Sequence, residues 1–93
     1  MASLNTFTKQ PADRLDYDFD YKAFLLGNDT IIDAVFTAEP VGLGTDTPVV
    51  EPKYAKIWVY GGVAGTTYKI TCTVTTEHGR VKQDEIKIRV KEY

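Results

Sequence analysis

The stretch Tyr54–Tyr93 reads YAKIWVY, GGVAG, TTYKITCTVTT, EHGR, VKQDEIKIRV and KEY. Branched and aromatic residues fill the long segments, and glycine-rich or polar turn residues separate them. Tyr68, Ile70, Cys72 and Val74 share one face against Lys69, Thr71, Thr73 and Thr75. Ile86, Ile88 and Val90 likewise face away from Lys87, Arg89 and Lys91. A period of two is the mark of a half-buried strand. On the segment before them, Ile57 and Val59 point one way and Trp58 and Tyr60 the other, so both faces are apolar and parity leaves the core side open. The Gly61–Gly65 and Glu77–Arg80 segments then turn the chain back as hairpins.

Working upstream, Leu15–Tyr21 alternates without a fault, placing Leu15, Tyr17, Phe19 and Tyr21 on one face and Asp16, Asp18 and Asp20 on the other. Lys22–Leu26 is a short apolar crossing, compatible with a helical turn and stopped by Gly27-Asn28-Asp29. Thr30–Ala38 resumes as strand, with Ile32, Ala34 and Phe36 expected inward and Asp33 and Thr37 outward. Glu39–Lys53 holds Pro40, Pro48 and Pro52 with Gly42 and Gly44, and so reads as a long loop or an edge, with Val49-Val50 as a short edge strand. Residues 1–14 lack periodicity and carry Pro11; they read as an extended N-terminal arm that orders on a neighbour, leaving 15–93 as the folded domain. The sum is an all-β protein, an immunoglobulin-like antiparallel β-sandwich of about seven strands. In such sandwiches the first strand commonly lies against the last, which predicts Asp16, Asp18 and Asp20 beside Lys87, Arg89 and Lys91.

Composition narrows the function. A chain of 93 residues is one domain that buries about two-thirds of its unfolded surface. Its single cysteine, Cys72, allows no internal disulfide. No basic start leads into an apolar run, and no stretch approaches the about 20 apolar residues of a membrane span, so a soluble chain made in a cytoplasm is expected. Residues 1–52 carry nine acids and three bases, and residues 53–93 carry eight bases and four acids. The bases alternate along a strand instead of clustering among aromatics, which argues for internal pairing and against nucleic acid.

Candidate chemistry is sparse. Asp16, Asp18 and Asp20 echo the start of a calcium loop, but Tyr21 stands where glycine is required and Gly27 where glutamate is. Carboxylates on alternate strand positions also stand in a row about 7 Å apart and do not converge. Cys72 lies among inward side chains while His78 sits in a turn, so the pair makes no nucleophile and base. Asn28-Asp29-Thr30 fits a glycosylation pattern that needs secretion to matter, and Gly61-Gly62 lacks the lysine and helix of a phosphate loop. Tyr68 enters its strand just after a turn, where sandwiches anchor a corner through the hydroxyl. No catalytic, cofactor-binding or metal-binding residues are expected, and the chain reads as a non-enzyme.

Several pieces in order carry a family likeness: Lys9-Gln10-Pro11 with Leu15-Asp16-Tyr17, Leu26–Ile31, Ile57-Trp58-Val59 with Gly61-Gly62, Ala64–Tyr68, Thr75-Thr76 with Gly79-Arg80, and Ile86–Val90. Over about residues 9–90 the chain resembles small tailed-bacteriophage virion proteins with an immunoglobulin-like sandwich, of the fibre-like and capsid-decorating kind. It departs from that pattern at Asn28, an insertion before Asp29, and at Tyr21, where tryptophan is common. The resemblance implies a virion structural protein made in the host cytoplasm, with a capsid decoration or cement role on the major capsid protein lattice as the leading expectation. The alternative is a neck, tail or fibre-associated module that recognises a host-surface ligand. Partners are then the major capsid protein or other virion proteins, with homo-oligomers open and neither nucleic acid nor membrane involved. The expected contacts are Phe7 and Pro11 in the arm, Leu43, Val49 and Val50 in the loop, and Trp58 and Tyr60, with Trp58 open to a core reading as well.

Overall fold

The computed structural model describes residues 5–92. Seven strands run in the order β1 (Asn5–Lys9), β2 (Arg14–Asp20), β3 (Ile31–Glu39), β4 (Leu43–Val50), β5 (Tyr54–Gly61), β6 (Thr67–Thr76) and β7 (Val81–Val90). They form a four-stranded sheet ordered β1-β7-β6-β3 and a three-stranded sheet ordered β2-β5-β4. The inner faces meet in one core built from Tyr17 and Phe19 of β2, Ala55, Ile57 and Val59 of β5, Tyr68, Ile70, Cys72 and Val74 of β6, and Ile86, Ile88 and Val90 of β7. Each set occupies alternate positions, so the period of two becomes the division between core and surface. The all-β sandwich expected from the sequence is what forms, and β5 resolves its ambiguity by turning Ala55, Ile57 and Val59 inward.

The expected pairing of the first aspartate-bearing strand with the last strand does not occur. β2 lies antiparallel to β5, from Arg14 opposite Tyr60 to Asp20 opposite Tyr54. The edge of β7 is taken instead by β1, which runs parallel to it with Asn5 opposite Ile86 and Lys9 opposite Val90. Residues 5–9, expected as part of an extended arm, thus enter the sandwich as a strand; Met1–Leu4 lie outside the described residues. The alternation signal is missing in β1 because four of its five residues are exposed. Its anchorage is at its end: Lys9 is only 1% exposed, and its ammonium donates to the Gln10 and Gly61 carbonyls. Phe7 adds a ring contact to Tyr17 of β2 at 5.0 Å.

Three smaller departures have local causes. A register shift between Ile31 and Asp33 turns Ile31 into the core and Ile32 out to solvent, while Ala34 and Phe36 pack against the core as expected. β4 is longer than the Val49-Val50 pair, and its pairing with β5 shifts between Asp46 and Val49. Thr47 and Pro48 fall inside that irregularity on an edge strand, where a missing N–H breaks no central ladder. The Lys22–Leu26 crossing is a turn in which the Phe24 and Leu25 amides both donate to the Tyr21 carbonyl at 2.9 Å.

Candidate functional site

The outer face of the small sheet is the surface richest in recognition chemistry. Directly opposed residues in antiparallel strands share a face, so the register sets out rows: Arg14, Tyr60 and Gly44; Asp16, Trp58 and Asp46; Asp18, Lys56 and Val49; Asp20 and Tyr54. An aromatic spine on β5 is flanked by carboxylates on both neighbouring strands. Arg14 stands over the Trp58 ring at 4.5 Å while its guanidinium donates to Asp46 at 2.7 Å. Lys56 reaches Asp16 at 3.4 Å and Asp18 at 3.9 Å. Those two carboxylates raise the Lys56 pKa, the Asp16 hydrogen bond most of all. Tyr60, 43% exposed, lies flat over Gly44, where a Cβ would come within 2.3 Å of the ring. Glycine at position 44 is therefore what lets the tyrosine cover the edge strand.

Of the residues expected to make contacts, the fold gathers Trp58, Tyr60 and Val49 on this face. Phe7 is on β1, and Pro11 is in the turn that follows it. Leu43 packs against the core, and Val50 lies opposite the buried Ala55 while keeping partial exposure. Trp58 is half-buried on the outer face, so its core reading is set aside. Sequence reasoning missed Arg14, Asp46 and Tyr54 as members of the face, because the β2-β5-β4 order that joins them depends on β1 occupying the last strand.

The ends of the sandwich are held by buried polar groups. The Tyr68 hydroxyl accepts the Val63 amide at 2.9 Å, the corner anchor its position suggested. Asp29, with no exposed surface, accepts the Thr30 and His78 amides at 3.0 Å and the Arg80 guanidinium at 3.0 Å. Burial pushes its pKa up, but hydrogen bonds from Thr76, the His78 amide and Arg80, together with the charge of a protonated His78, outweigh burial and hold it below the ordinary value. His78 is thus committed to Asp29, with its ring nitrogen 3.8 Å from the carboxylate. Cys72 is sealed in the core, and burial pushes its thiol up to about 11. Among the described residues no group of three or more His, Cys, Asp or Glu is arranged to hold a metal ion, and no helix is long and apolar enough to cross a membrane.

The outer face of the small sheet thus combines half-exposed aromatic residues on β5 with charged residues on β2 and β4. No curated protein matches the chain. A family described as podophage GP4 fiber-tail adaptor protein gp77 matches residues 9–89, beginning at the buried Lys9 and ending on β7. Because that match takes in both sheets and well over half of the 93 residues, the chain belongs to the podophage fiber-tail adaptor gp77 family and is a bacteriophage virion structural protein.

Proposed function

We propose that this chain is a non-catalytic adaptor that holds a fibre to the tail of a phage particle. The family match over residues 9–89 carries the reading. The fold supports it: an adaptor must offer separate surfaces on one rigid body, and a sandwich supplies two sheet faces and two ends with fixed relative geometry. Binding energy at protein interfaces concentrates on aromatic and arginine side chains, and the small sheet presents Trp58, Tyr60, Tyr54 and Arg14 together. Capsid decoration, the leading expectation from sequence, gives way to the tail-associated alternative, because the family description names fibre and tail and not the shell.

The test is assembly of particles with the gene for this chain interrupted. Filled heads and tails without fibres are expected, with fibres restored when the purified chain and fibre protein are added back. Mutant particles that carry fibres at the normal number would overturn the adaptor reading.

A further inference from the structure

The outer face of the small sheet is net acidic, whereas the outer face of the large sheet balances Glu39, Glu85 and Asp33 against Lys69, Lys87 and Arg89 and is basic only at one corner. On the small sheet, Asp16, Asp18, Asp20 and Asp46 face outward with only Arg14 and Lys56 among them, and Lys56 is shared between two of the acids. On the opposite side of the molecule, Lys87 and Arg89 stand on the outer face of β7, with Thr67 and Lys69 of β6 opposite them. Neither Lys87 nor Arg89 has an ion pair among the described residues, whereas Lys69 is held by Glu39 at 3.3 Å and Glu85 at 3.7 Å. Beside them lies a shallow, open patch bordered by Glu39, Pro40, Lys69 and Lys87.

Same-face residues on a strand repeat about every 7 Å, so carboxylates two residues apart and cations two residues apart meet in register. The small sheet already shows how it takes a guanidinium, since Arg14 lies on Trp58 while bonded to Asp46. We infer that copies of this chain dock on one another, the Asp16-Asp18 face of the small sheet receiving the Lys87-Arg89 corner of the next copy. The two surfaces lie on opposite sides of one molecule, so each copy that uses one leaves the other free. A head-to-tail contact of this kind closes into a ring or continues as a chain of copies. Three strands by seven residues give a footprint on the order of 300 Å², below the roughly 800 Å² per partner of a stable pair. A single contact is therefore weak and screened by salt, and it gains strength where several copies close on one another. The inference goes beyond the adaptor role and does not depend on it.

Sedimentation velocity of the purified chain tests it. A concentration-dependent fast component is expected at about 0.01 M salt and its loss at about 1 M, where the screening length falls to about 3 Å. Asp16→Lys with Asp18→Lys, and separately Lys87→Glu with Arg89→Glu, are each expected to sediment as monomers, and mixing the two variants is expected to restore the fast component. A wild-type chain monomeric at every salt and concentration would overturn the stacking, as would association that survives in both variants. A monomeric chain whose fibre attachment is lost with Asp16→Lys and Asp18→Lys would give the face to the fibre, overturning the stacking while leaving the adaptor role standing.

Discussion

Asp29 illustrates how much of this fold rests on single polar atoms at its ends. Its carboxylate joins the turn before β3 to the β6–β7 hairpin through the His78 amide and Arg80. Replacing it removes the buried acceptor that three part-buried donors share, which is among the costlier kinds of substitution. Asp29→Ala is expected to lower Tm on the order of 10 °C. The pH dependence has a definite sign: a carboxyl whose pKa is depressed on folding stabilises fully above its unfolded value of 3.8 and loses that contribution as pH falls toward the depressed value. The stability gap between wild type and Asp29→Asn, measured by urea unfolding, is expected to be constant at neutral pH and to shrink as pH falls through and below the ordinary carboxyl value of 3.8. Sequence gave no hint of this role, because Asp29 is a turn residue whose partners lie 49 and 51 positions away. Tyr68 was legible, since its place after a turn and at the start of β6 announces the corner, and Tyr68→Phe is expected to cost about 1 kcal/mol in urea unfolding for the lost bond to Val63. Cys72 was legible too: inward parity and burial make its thiol inert. Labelling by a thiol reagent at pH 8 is expected to proceed only as fast as the chain unfolds, and rapid labelling of the native protein would contradict its placement.

At the level of elements, the strands with a clean period of two, β2, β6 and β7, could be read directly, whereas their partners could not. Alternation states which face of a strand is buried and says nothing about which strand lies beside it. The assignment of β2 to the last strand failed for that reason: β1, with no apolar alternation, won the β7 edge through main-chain pairing and the buried Lys9. The bulge that flips Ile31 and Ile32 was equally hidden, because one extra residue reverses parity without changing composition. The turn between β5 and β6 offers a test of close packing. Gly61 and Gly62 both have left-handed backbones, at φ 73° and 96°, but a Cβ on Gly61 meets nothing within 4 Å, whereas one on Gly62 meets Val90 at 2.7 Å and Leu43 at 3.2 Å. Gly61→Ala is expected to cost about 1 kcal/mol from backbone strain alone. Gly62→Ala adds steric overlap with the core and is expected to cost about 1 to 3 kcal/mol more. Equal losses in urea unfolding would show that the β5–β6 turn does not press against β7.

For the whole molecule, the charge imbalance between the two halves of the chain is only partly separated in space, since each sheet draws strands from both halves. β2 and β4 supply the outward acids of the small sheet, while on the large sheet Lys69, Lys87 and Arg89 share the outer face with Glu39, Glu85 and Asp33. Internal pairing accounts for Lys56, Lys69 and Arg14 but leaves Lys87 and Arg89 facing outward. Legible from sequence were the sandwich and its virion setting; that Trp58 and Tyr60 share one outer face became visible only with the strand order. Membership in the fiber-tail adaptor family makes this sandwich a virion component, and the proposed adaptor role puts it between tail and fibre. The most direct measurement is an electron cryomicroscopy reconstruction of the intact virion at the fibre attachment site. The account expects density for this seven-stranded sandwich wedged between tail and fibre; finding it on the capsid shell, with fibres joined to the tail by other chains, would contradict it.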